Sequence, residues 1–449
     1  MAVVATQVRA SDEQESPQEP ARPGQGGGAV EGSSEEANQP SDESESEDAA
    51  AEASDKDVEI SSIRRRITNA NDVLQELRTS ASDRNGLFER GPIALAFPPW
   101  QDFNSKLDDE IGLRLGFSYY MLYQWASSSP FGPGQAGAGD LDFFGRWNLL
   151  RGEDGALGIL GFNLEHRHAY EEIPPFQVDS SIGSIWPTTR GFTDTGFNFN
   201  ELWWDQQFSN DRISFRIGTI NQKHFHDLHR FKSQKRFFLS FPLSDSPTIA
   251  FPPNGFGGVL RVSPREDFHI VAGVGDANGE RSVGSIDTFF RNTEFFSALD
   301  LSFAPTIDGL GDGRYSITFW HTDASSIYNR PSGRGFNALA EQEVADGVVP
   351  FVRYGYGDGA DLAVEHTAAI GVGFERPFGA QDDVAGIGAS WSRPSDLSLR
   401  DQWGFEAFYR FQLTTVIQLT PGFQVIVDPS LNTTEDVIGI FQLRVGLIF

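Results

Sequence analysis

Residues 401–449 read DQWGFEAFYRFQLTTVIQLTPGFQVIVDPSLNTTEDVIGIFQLRVGLIF, and this stretch decides the fold. Every second side chain is apolar over residues 441–449, and the other face carries Gln442, Arg444 and Gly446. A similar alternation runs along 405–413 and 417–427. A period of two predicts β-strands that each present one apolar and one polar face.

Two features of these strands favour a membrane β-barrel over a soluble sandwich. The strands approach the roughly 9–11 residues that a tilted strand needs to cross a bilayer. Charged residues such as Glu406, Arg410 and Arg444 stand within the polar faces, and they suit a water-filled lumen better than a solid core. Phe449, at the end of an alternating strand, is typical of the insertion signal of outer-membrane barrels. It predicts outer-membrane lipid and the barrel-assembly machinery as partners.

The composition of the 449 residues agrees with a large barrel. No apolar run reaches the roughly 18 residues of a transmembrane helix, whereas alternating strands conceal their hydrophobicity. The 38 Phe residues suit aromatic girdles at two membrane interfaces. There is no cysteine, so disulfides and thiol chemistry are excluded. The net charge of −28 argues against nucleic acid as a partner.

Residues 1–57 are predicted to be a disordered acidic low-complexity segment. They hold 15 acidic and 3 basic residues, and runs such as SDESESED cannot bury a core. The opening MAVVATQVRAS lacks the apolar region of a secretory signal, which an outer-membrane protein needs. We therefore expect the natural chain to begin further upstream.

Residues 58–80 are predicted to form a short amphipathic helix. Apolar residues follow a 3–4 spacing that is typical of a coiled-coil seam. They are Ile60, Ile63, Ile67, Ala70, Leu74 and Leu77. The seam is short, so two interpretations stay open. One is an oligomerising stalk, which implies a homo-oligomer, and the other is a helix that lies on the barrel or plugs it.

Further alternating segments precede the C-terminal stretch. They lie at 111–125, 139–150, 157–168, 197–208, 212–221, 235–241, 257–263, 267–275, 294–304, 313–322, 349–357, 362–375 and 384–392. Together with the three C-terminal strands they predict an all-β fold, a transmembrane antiparallel β-barrel of about 16 strands over residues 90–449. Long connections between the segments are predicted to be external loops. These connections are 169–196, 222–256, 276–293 and 323–347.

Five segments of the chain resemble the carbohydrate-selective porins of the OprB family. They are EAFYRFQLTTVIQLTPGFQVIVDPSLN at 406–432, FNFNELWWDQQF at 197–208, ISFRIGTIN at 213–221, RVSPREDFHIVAGV at 261–274 and GDANG at 275–279. The resemblance covers roughly residues 90–449. It implies a sixteen-stranded outer-membrane barrel of the Gram-negative type that passes sugars by facilitated diffusion. After residue 221, QKHFHDLHRFKSQKR replaces the pattern of acidic and aromatic residues that the family leads us to expect.

A sugar channel needs weak binding sites from which the solute escapes easily. Charged and amide side chains can bond sugar hydroxyls, and aromatic rings can stack on sugar rings. We predict ten pore-lining residues on the polar strand faces. They are Arg114, Arg146, Glu201, Trp203, Asp205, Arg216, Glu406, Arg410, Gln412 and Arg444. Glu201, Trp203 and Asp205 face inward in this interpretation, because Leu202 and Trp204 suit lipid. The alternative is that these charges only solvate the lumen wall.

The basic segment KHFHDLHRFKSQKR places His224, His226 and His229 in a predicted loop. Their H-x-H-x-x-H spacing could hold a metal, but no predicted strand or helix fixes the geometry. We therefore predict no metal and no cofactor. The alternative is a loop that folds inward and narrows the pore, and its Lys and Arg residues favour anions. Neither a G-x-S-x-G elbow nor a cysteine nucleophile is present, so no enzyme is predicted.

The sequence therefore predicts a passive outer-membrane porin for facilitated diffusion of carbohydrates, with small-molecule sugars as its solutes. Two alternatives remain at this point. The first is a porin selective for anions or small organic acids, favoured by the basic segment. The second is a barrel that is not a channel, either an outer-membrane enzyme or a surface binding protein.

Overall fold

The structure is a computed structural model. It describes residues 71–81, 84–88, 97–152, 156–208, 212–280 and 286–449. The predicted acidic segment 1–57 lies outside the described residues. So do Ile60, Ile63, Ile67 and Ala70 of the predicted helix.

Sixteen antiparallel strands form a closed barrel, which confirms the predicted fold class. They are β1 (Leu113–Ala126), β2 (Gln135–Arg151), β3 (Leu157–Ala169), β4 (Gly196–Phe208), β5 (Ile213–Ile220), β6 (Gly255–Arg265), β7 (Phe268–Asp276), β8 (Phe295–Phe303), β9 (Gly311–Thr322), β10 (Gly333–Gln342), β11 (Val348–Gly359), β12 (Val364–Glu375), β13 (Val384–Pro394), β14 (Gln402–Gln412), β15 (Ile417–Val427) and β16 (Val437–Ile448). A two-residue strand, Thr306–Ile307, lies between β8 and β9 and pairs with the start of β9.

The first and last strands close the barrel. β1 pairs with β2 on one side and with β16 on the other, in a register that sets Ser118 opposite Ile448. The backbone N–H of Phe449 donates to the Phe117 carbonyl at 2.8 Å, and the Phe117 N–H donates back at 3.1 Å. The C-terminal residue therefore takes part in the ladder that leaves the sheet without a free edge.

The two faces of each strand differ as the period of two predicts. In β14, Trp403 and Phe405 are each 45% exposed, whereas Gln402 before them and Glu406 after them are buried. Apolar side chains thus cover the outer surface, where lipid replaces water, and polar side chains point into the barrel.

The connections at the two ends of the barrel differ in length. Residues 170–195, 221–254 and 277–294 join strands at one end, which we call the long-loop end. Residues 209–212 and 266–267 join strands at the other, the short-turn end. This asymmetry is the usual layout of outer-membrane barrels.

Two predicted features of the strand order are wrong. The segment 235–241 is not a strand: it lies inside the barrel, and strand side chains bond its backbone in place of a β-ladder. The connection 323–347 is not one loop, because β10 runs through it. β10 reads GRGFNALAEQ, and its small outward side chains, Ala338 and Ala340, conceal the alternation of a strand.

Short helices accompany the barrel. They are α1 (Val73–Ala81), α2 (Phe97–Ile111), α3 (Val178–Ile182), α4 (Phe241–Ser244) and α5 (Ile286–Asn292). The described part of the chain has three 3-10 turns, at Pro175–Gln177, Gln222–His224 and Pro377–Gly379. Within the described residues, every helix is too short or too polar to cross a membrane. The sequence reasoning overlooked α2, although two prolines near its start fit the first turn of a helix.

Helix α1 contains the part of the predicted amphipathic helix that the structure describes. Leu74 and Leu77 are buried and pack in one cluster with Phe144 of β2 and Ile159 of β3, on the inside of the barrel. Because these two leucines contact the interior of their own chain, they are not available to the predicted intermolecular seam. For residues 73–81, the geometry favours the plugging helix over the stalk.

Candidate channel constriction

Residues 221–254, between β5 and β6, form the central feature of the lumen, and we call them the constriction loop. The 3-10 turn Gln222–His224 and helix α4 belong to it. Phe231 and Leu243 are fully buried, as are many of its polar residues. The loop can be buried because the barrel interior surrounds it and strand side chains bond its backbone.

Asp227 ties the constriction loop to one side of the barrel. Its carboxylate forms an ion pair with Arg353 of β11 and accepts a 3.3 Å hydrogen bond from Asn337 of β10. Its backbone N–H donates to the Thr318 hydroxyl of β9 at 3.1 Å. Asp227 has a φ of 54°, a left-handed conformation that asparagine and aspartate tolerate better than most residues. The anchor therefore combines side-chain and backbone bonds to three neighbouring strands.

Glu406 and Arg444, both predicted to line the pore, hold the loop from the other side. The Glu406 carboxylate accepts the Leu239 N–H at 2.9 Å. Arg444 donates to the Gln234 carbonyl at 2.5 Å and to the Phe237 carbonyl at 3.0 Å. Both side chains lie inside the barrel and bond backbone groups of the loop, and Glu406 also accepts from the Gln442 amide at 2.8 Å. Contact with a passing solute stays a prediction for both.

Arg410 and Gln412 lie further along β14. Arg410 donates to the Asp382 carbonyl at 3.3 Å, and its guanidinium carbon is 5.5 Å from the centre of the Phe237 ring. The Gln412 amide donates to the Thr414 carbonyl at 2.7 Å. Arg410 thus reaches the loop through an aromatic ring alone, whereas Gln412 supports the turn after its own strand.

The predicted residues of β4 and β5 come together in one network. Glu201, Trp203 and Asp205 are each at most 1% exposed. The Trp203 indole N–H donates to Glu201 at 3.0 Å, and its ring lies 3.5 Å from the Arg216 guanidinium carbon. Asp205 accepts from Arg216 at 2.9 Å and from Arg261 at 2.5 Å. Charges and rings here satisfy one another, so this network is structural in the state described.

Arg114 and Arg146 stand opposite each other on β1 and β2. Both face Asp108 of α2, with nitrogen–oxygen distances of 3.9 and 3.1 Å. Asp108 compensates two like charges that would otherwise repel across the strand pair. These two predicted residues therefore hold α2 at the short-turn end.

A further charged group was missing from the predicted set. Asp140 and Asp142 of β2 and Glu165 and Arg167 of β3 project into the barrel. Lys235 of the constriction loop pairs with Asp142 and lies 3.4 Å from Asp140. Arg167 bonds Asp140 at 3.1 Å and Glu165 at 2.6 Å. The signal that could have revealed them is the spacing of two residues within D-L-D and E-H-R.

The three carboxylates Asp140, Asp142 and Glu165 lie close enough to bind one metal ion. Each of them already pairs with Lys235 or Arg167, so this arrangement favours internal ion pairs over a metal cation. The three loop histidines do not gather within the described residues. His224 lies 3.0 Å from Glu201 and His229 3.2 Å from the Ser244 carbonyl. Burial lowers the pKa of His226 to about 3, so this imidazole is neutral at physiological pH.

A small cavity of about 110 Å³ borders the constriction loop toward the long-loop end. We call it the cationic cavity, because five of its lining residues are basic. They are Arg167, Arg190, Lys223, Lys232 and Lys235. Asp245 is its acidic lining residue and lies 3.3 Å from Lys223 and 3.4 Å from Lys232. Burial, with the nearby charge of Arg190, lowers the pKa of Lys223 to about 7.

A larger cavity of about 760 Å³ borders the loop toward the short-turn end. We call it the mixed-charge cavity, because acids and arginines alternate around it. They include Arg230, Arg314, Arg376, Glu341, Glu343 and Glu375. Arg230 lies 3.2 Å from Glu343, and Arg314 lies 3.5 Å from Glu341. Its walls therefore offer hydrogen-bond donors and acceptors side by side.

Known proteins resemble this chain in sequence and in fold. The sequence profile of the carbohydrate-selective porin, OprB family, matches residues 155–449. Porin AaxA of Chlamydia pneumoniae is 22% identical over 310 residues, which are 67% of this chain and 70% of that protein. Porin AaxA of Chlamydia trachomatis serovar D is 23% identical over 256 residues, or 56% of this chain and 55% of that one. The match to the latter thus spans about half of its length.

The solved structures that resemble this barrel share its fold at low sequence identity. The high-pH structure of Pseudomonas putida OprB superposes with a TM-score of 0.63 at 14% identity, covering 78% of this chain and 97% of that one. The family match spans more than half of the chain. The chain therefore belongs to the carbohydrate-selective porin (OprB) family and is a porin, an integral barrel of the outer membrane.

Proposed function

We propose that this porin passes small carbohydrates by facilitated diffusion through the outer membrane of a Gram-negative type cell. The observation that carries the proposal is the mixed-charge cavity beside the constriction loop. Sugar hydroxyls both donate and accept hydrogen bonds, so paired arginines and glutamates match them better than a wall of one charge. The name of the family points to the same class of solute.

Passage requires binding that is weak and easily reversed. Arg230 faces both Glu343 at 3.2 Å and Glu375 at 3.5 Å, so its charge is already compensated. A neutral polyol that enters the cavity replaces water around these groups and does not need to break the ion pairs of Arg230. We infer that the cavity is a transient station for solutes between the constriction and the short-turn end.

The experiment that tests the proposal is single-channel conductance in planar bilayers, titrated with neutral sugars and with organic acids. Neutral sugars are expected to reduce the ion current in a saturable manner, and Glu343→Gln and Glu375→Gln are expected to weaken this block. Asp287→Asn, in an exposed pair on α5, serves as the matched control. Channels that conduct but that no sugar blocks would contradict the carbohydrate proposal.

A second candidate is a porin for anions or small organic acids. The cationic cavity supports it, because basic residues outnumber the acidic Asp245 there. A strongly anion-selective reversal potential, with block by organic acids and none by neutral sugars, would favour this candidate. The predicted homo-oligomer and the interaction with the assembly machinery remain proposals beside either function.

A further inference from the structure

The lumen wall departs from the usual polar interior of a barrel on the side of β2 to β7. Several inward side chains there are apolar although charged residues stand beside them, and they form one cluster with helix α1. They include Phe144, Ile159, Val259 and Val271. A water-filled lumen would leave such groups hydrated, which is unfavourable in proportion to the apolar surface that water covers. Helix α1 removes that cost, because Val73, Leu74 and Leu77 cover them.

The start of α1 is bound to the barrel by charge as well. Asp72 accepts the Leu74 N–H at 3.0 Å, a typical helix cap, and its carboxylate also pairs with Arg216 of β5. At the other end, the Thr79 hydroxyl accepts from Arg236 of the constriction loop at 3.0 Å. The helix is therefore held along its length.

The side of α1 next to Leu74 and Leu77 is less buried and borders the mixed-charge cavity, and the residue before the helix borders the cationic cavity. Asn71 lines the cationic cavity, whereas Gln75 and Arg78 line the mixed-charge cavity. Gln75 and Arg78 are three positions apart and so lie on one side of the helix, whereas Asn71 precedes its first turn. That face is half-buried, unlike the face that carries Leu74 and Leu77.

We propose that α1 is the inner wall of the channel, which sets its size limit and places Gln75 and Arg78 in contact with passing solutes. The helix fills the lumen beside β2 to β7 and confines the path to the opposite side. This inference goes beyond the proposed function, because it holds for a sugar channel and for an anion channel alike.

The test uses the absence of cysteine from the chain. Gln75→Cys and Arg78→Cys each introduce the one thiol of the protein on the channel face of α1. Leu74→Cys is the matched control, because Leu74 is buried against the barrel wall. Arg230→Cys is the positive control, which shows that the reagent reaches the mixed-charge cavity. Each variant in full-length protein is reconstituted in planar bilayers and treated with a charged methanethiosulfonate. Mass spectrometry then measures the extent of modification.

Modification is expected to reduce the conductance of the 75, 78 and 230 variants severalfold and to leave the Leu74→Cys channel unchanged. Leu77→Asp, which expels α1, is expected to raise conductance at least twofold and to admit larger sugars in liposome swelling. The proposal is overturned if the reagent lowers the conductance of Arg230→Cys but not that of Gln75→Cys or Arg78→Cys. It is also overturned if Leu74→Cys and Gln75→Cys are modified to the same extent. Should wild-type channels conduct without any block by sugar, the carbohydrate proposal alone fails. If no current flows at all, the pattern of modification still decides the position of α1.

Discussion

Asp72 of α1 and Arg216 of β5 form an ion pair inside the barrel in which both side chains are 0% exposed. Arg216 also bonds Asp205 at 2.9 Å, so one guanidinium joins the N-terminal helix to the strand wall. Planar guanidinium groups are suited to such shared contacts because they carry five donors. The predicted pore residue Arg216 thereby serves as a junction between the helix and the barrel.

Asp205→Asn is expected to lower the stability of the barrel by about 3–5 kcal/mol, because it leaves Arg216 and Arg261 buried without their shared carboxylate. The measurement is the temperature at which the heat-modifiable folded form disappears in detergent gels. The matched control is Asp267→Asn, whose partner Arg265 is largely exposed. An exposed pair is worth about 0–1 kcal/mol. Equal shifts in the two variants would contradict the buried network.

Arg444→Ala is expected to increase single-channel conductance, because the Gln234 and Phe237 carbonyls of the constriction loop lose their donor. Each unsatisfied buried carbonyl costs about 1–3 kcal/mol, which favours movement of the loop. Arg410→Ala is the comparison. Its one contact with the constriction loop is the Phe237 ring, and its hydrogen bond goes to the Asp382 carbonyl outside the loop, so conductance changes less.

The main expected effect of Arg410→Ala is a shift of ion selectivity toward cations, because the substitution removes a positive charge from a narrow passage. If sugar hydroxyls also bind Arg410, block by sugar weakens by about 1–3 kcal/mol. Reversal potentials and sugar titrations measure these effects separately. Unchanged values for both in a stable barrel would remove Arg410 from the solute path.

Anion preference is expected to decrease as pH rises through about 7, because Lys223 has a pKa of about 7. Below that value the ammonium is charged, and above it the amine is neutral, so the cationic cavity loses positive charge. Arg190 and Asp245, which line the same cavity, keep their charges over the same range and set a constant background. Reversal potentials one pH unit on either side of 7 give the measurement.

The control for this pH dependence is Lys223→Arg, whose guanidinium stays protonated. It is expected to retain anion preference on both sides of pH 7, whereas Lys223→Met is expected to show the lower preference throughout. A pH step of unchanged size in Lys223→Met would assign the titration to another group.

Deletion of Phe449 is expected to reduce the amount of folded barrel in outer membranes. The deletion removes the two backbone hydrogen bonds with Phe117 and the aromatic ring at the end of β16. Folded protein is measured as the heat-modifiable band. Phe378→Ala, a change to a ring that is 97% exposed in a turn, provides the control. Equal yields for the deletion and the wild type would refute an insertion role for this residue.

The alternation of apolar and polar residues was sufficient to predict most of the barrel. A strand with lipid outside and a polar interior has to alternate, so fifteen of the sixteen strands are visible in the sequence to within a few residues. β10 was missed because Ala338 and Ala340 face outward, where larger apolar side chains would have marked it. Segment 235–241 was mistaken for a strand because Phe237, Phe238 and Leu239 are apolar for another reason: they pack inside the barrel.

The candidate site was less accessible to sequence reasoning. A period of two placed residues such as Glu406 and Arg444 on the polar face, but it carries no information about their partners. Those partners are more than a hundred residues away in the chain, on a loop that folds inward. The network of Lys235 with Asp140 and Asp142 likewise joins the inward-folded loop to a distant strand, and no local sequence pattern predicts it.

The sequence by itself determined the barrel, its closure and the polarity of its two faces, because these follow from a local alternation that lipid and water impose on every strand. Only the tertiary structure decided what fills the lumen. Helix α1 and the constriction loop are positioned by long-range ion pairs and by hydrogen bonds to backbone groups, such as that of Arg444 to Phe237. Such bonds depend on distances between residues remote in sequence, and these distances exist only once the barrel has closed.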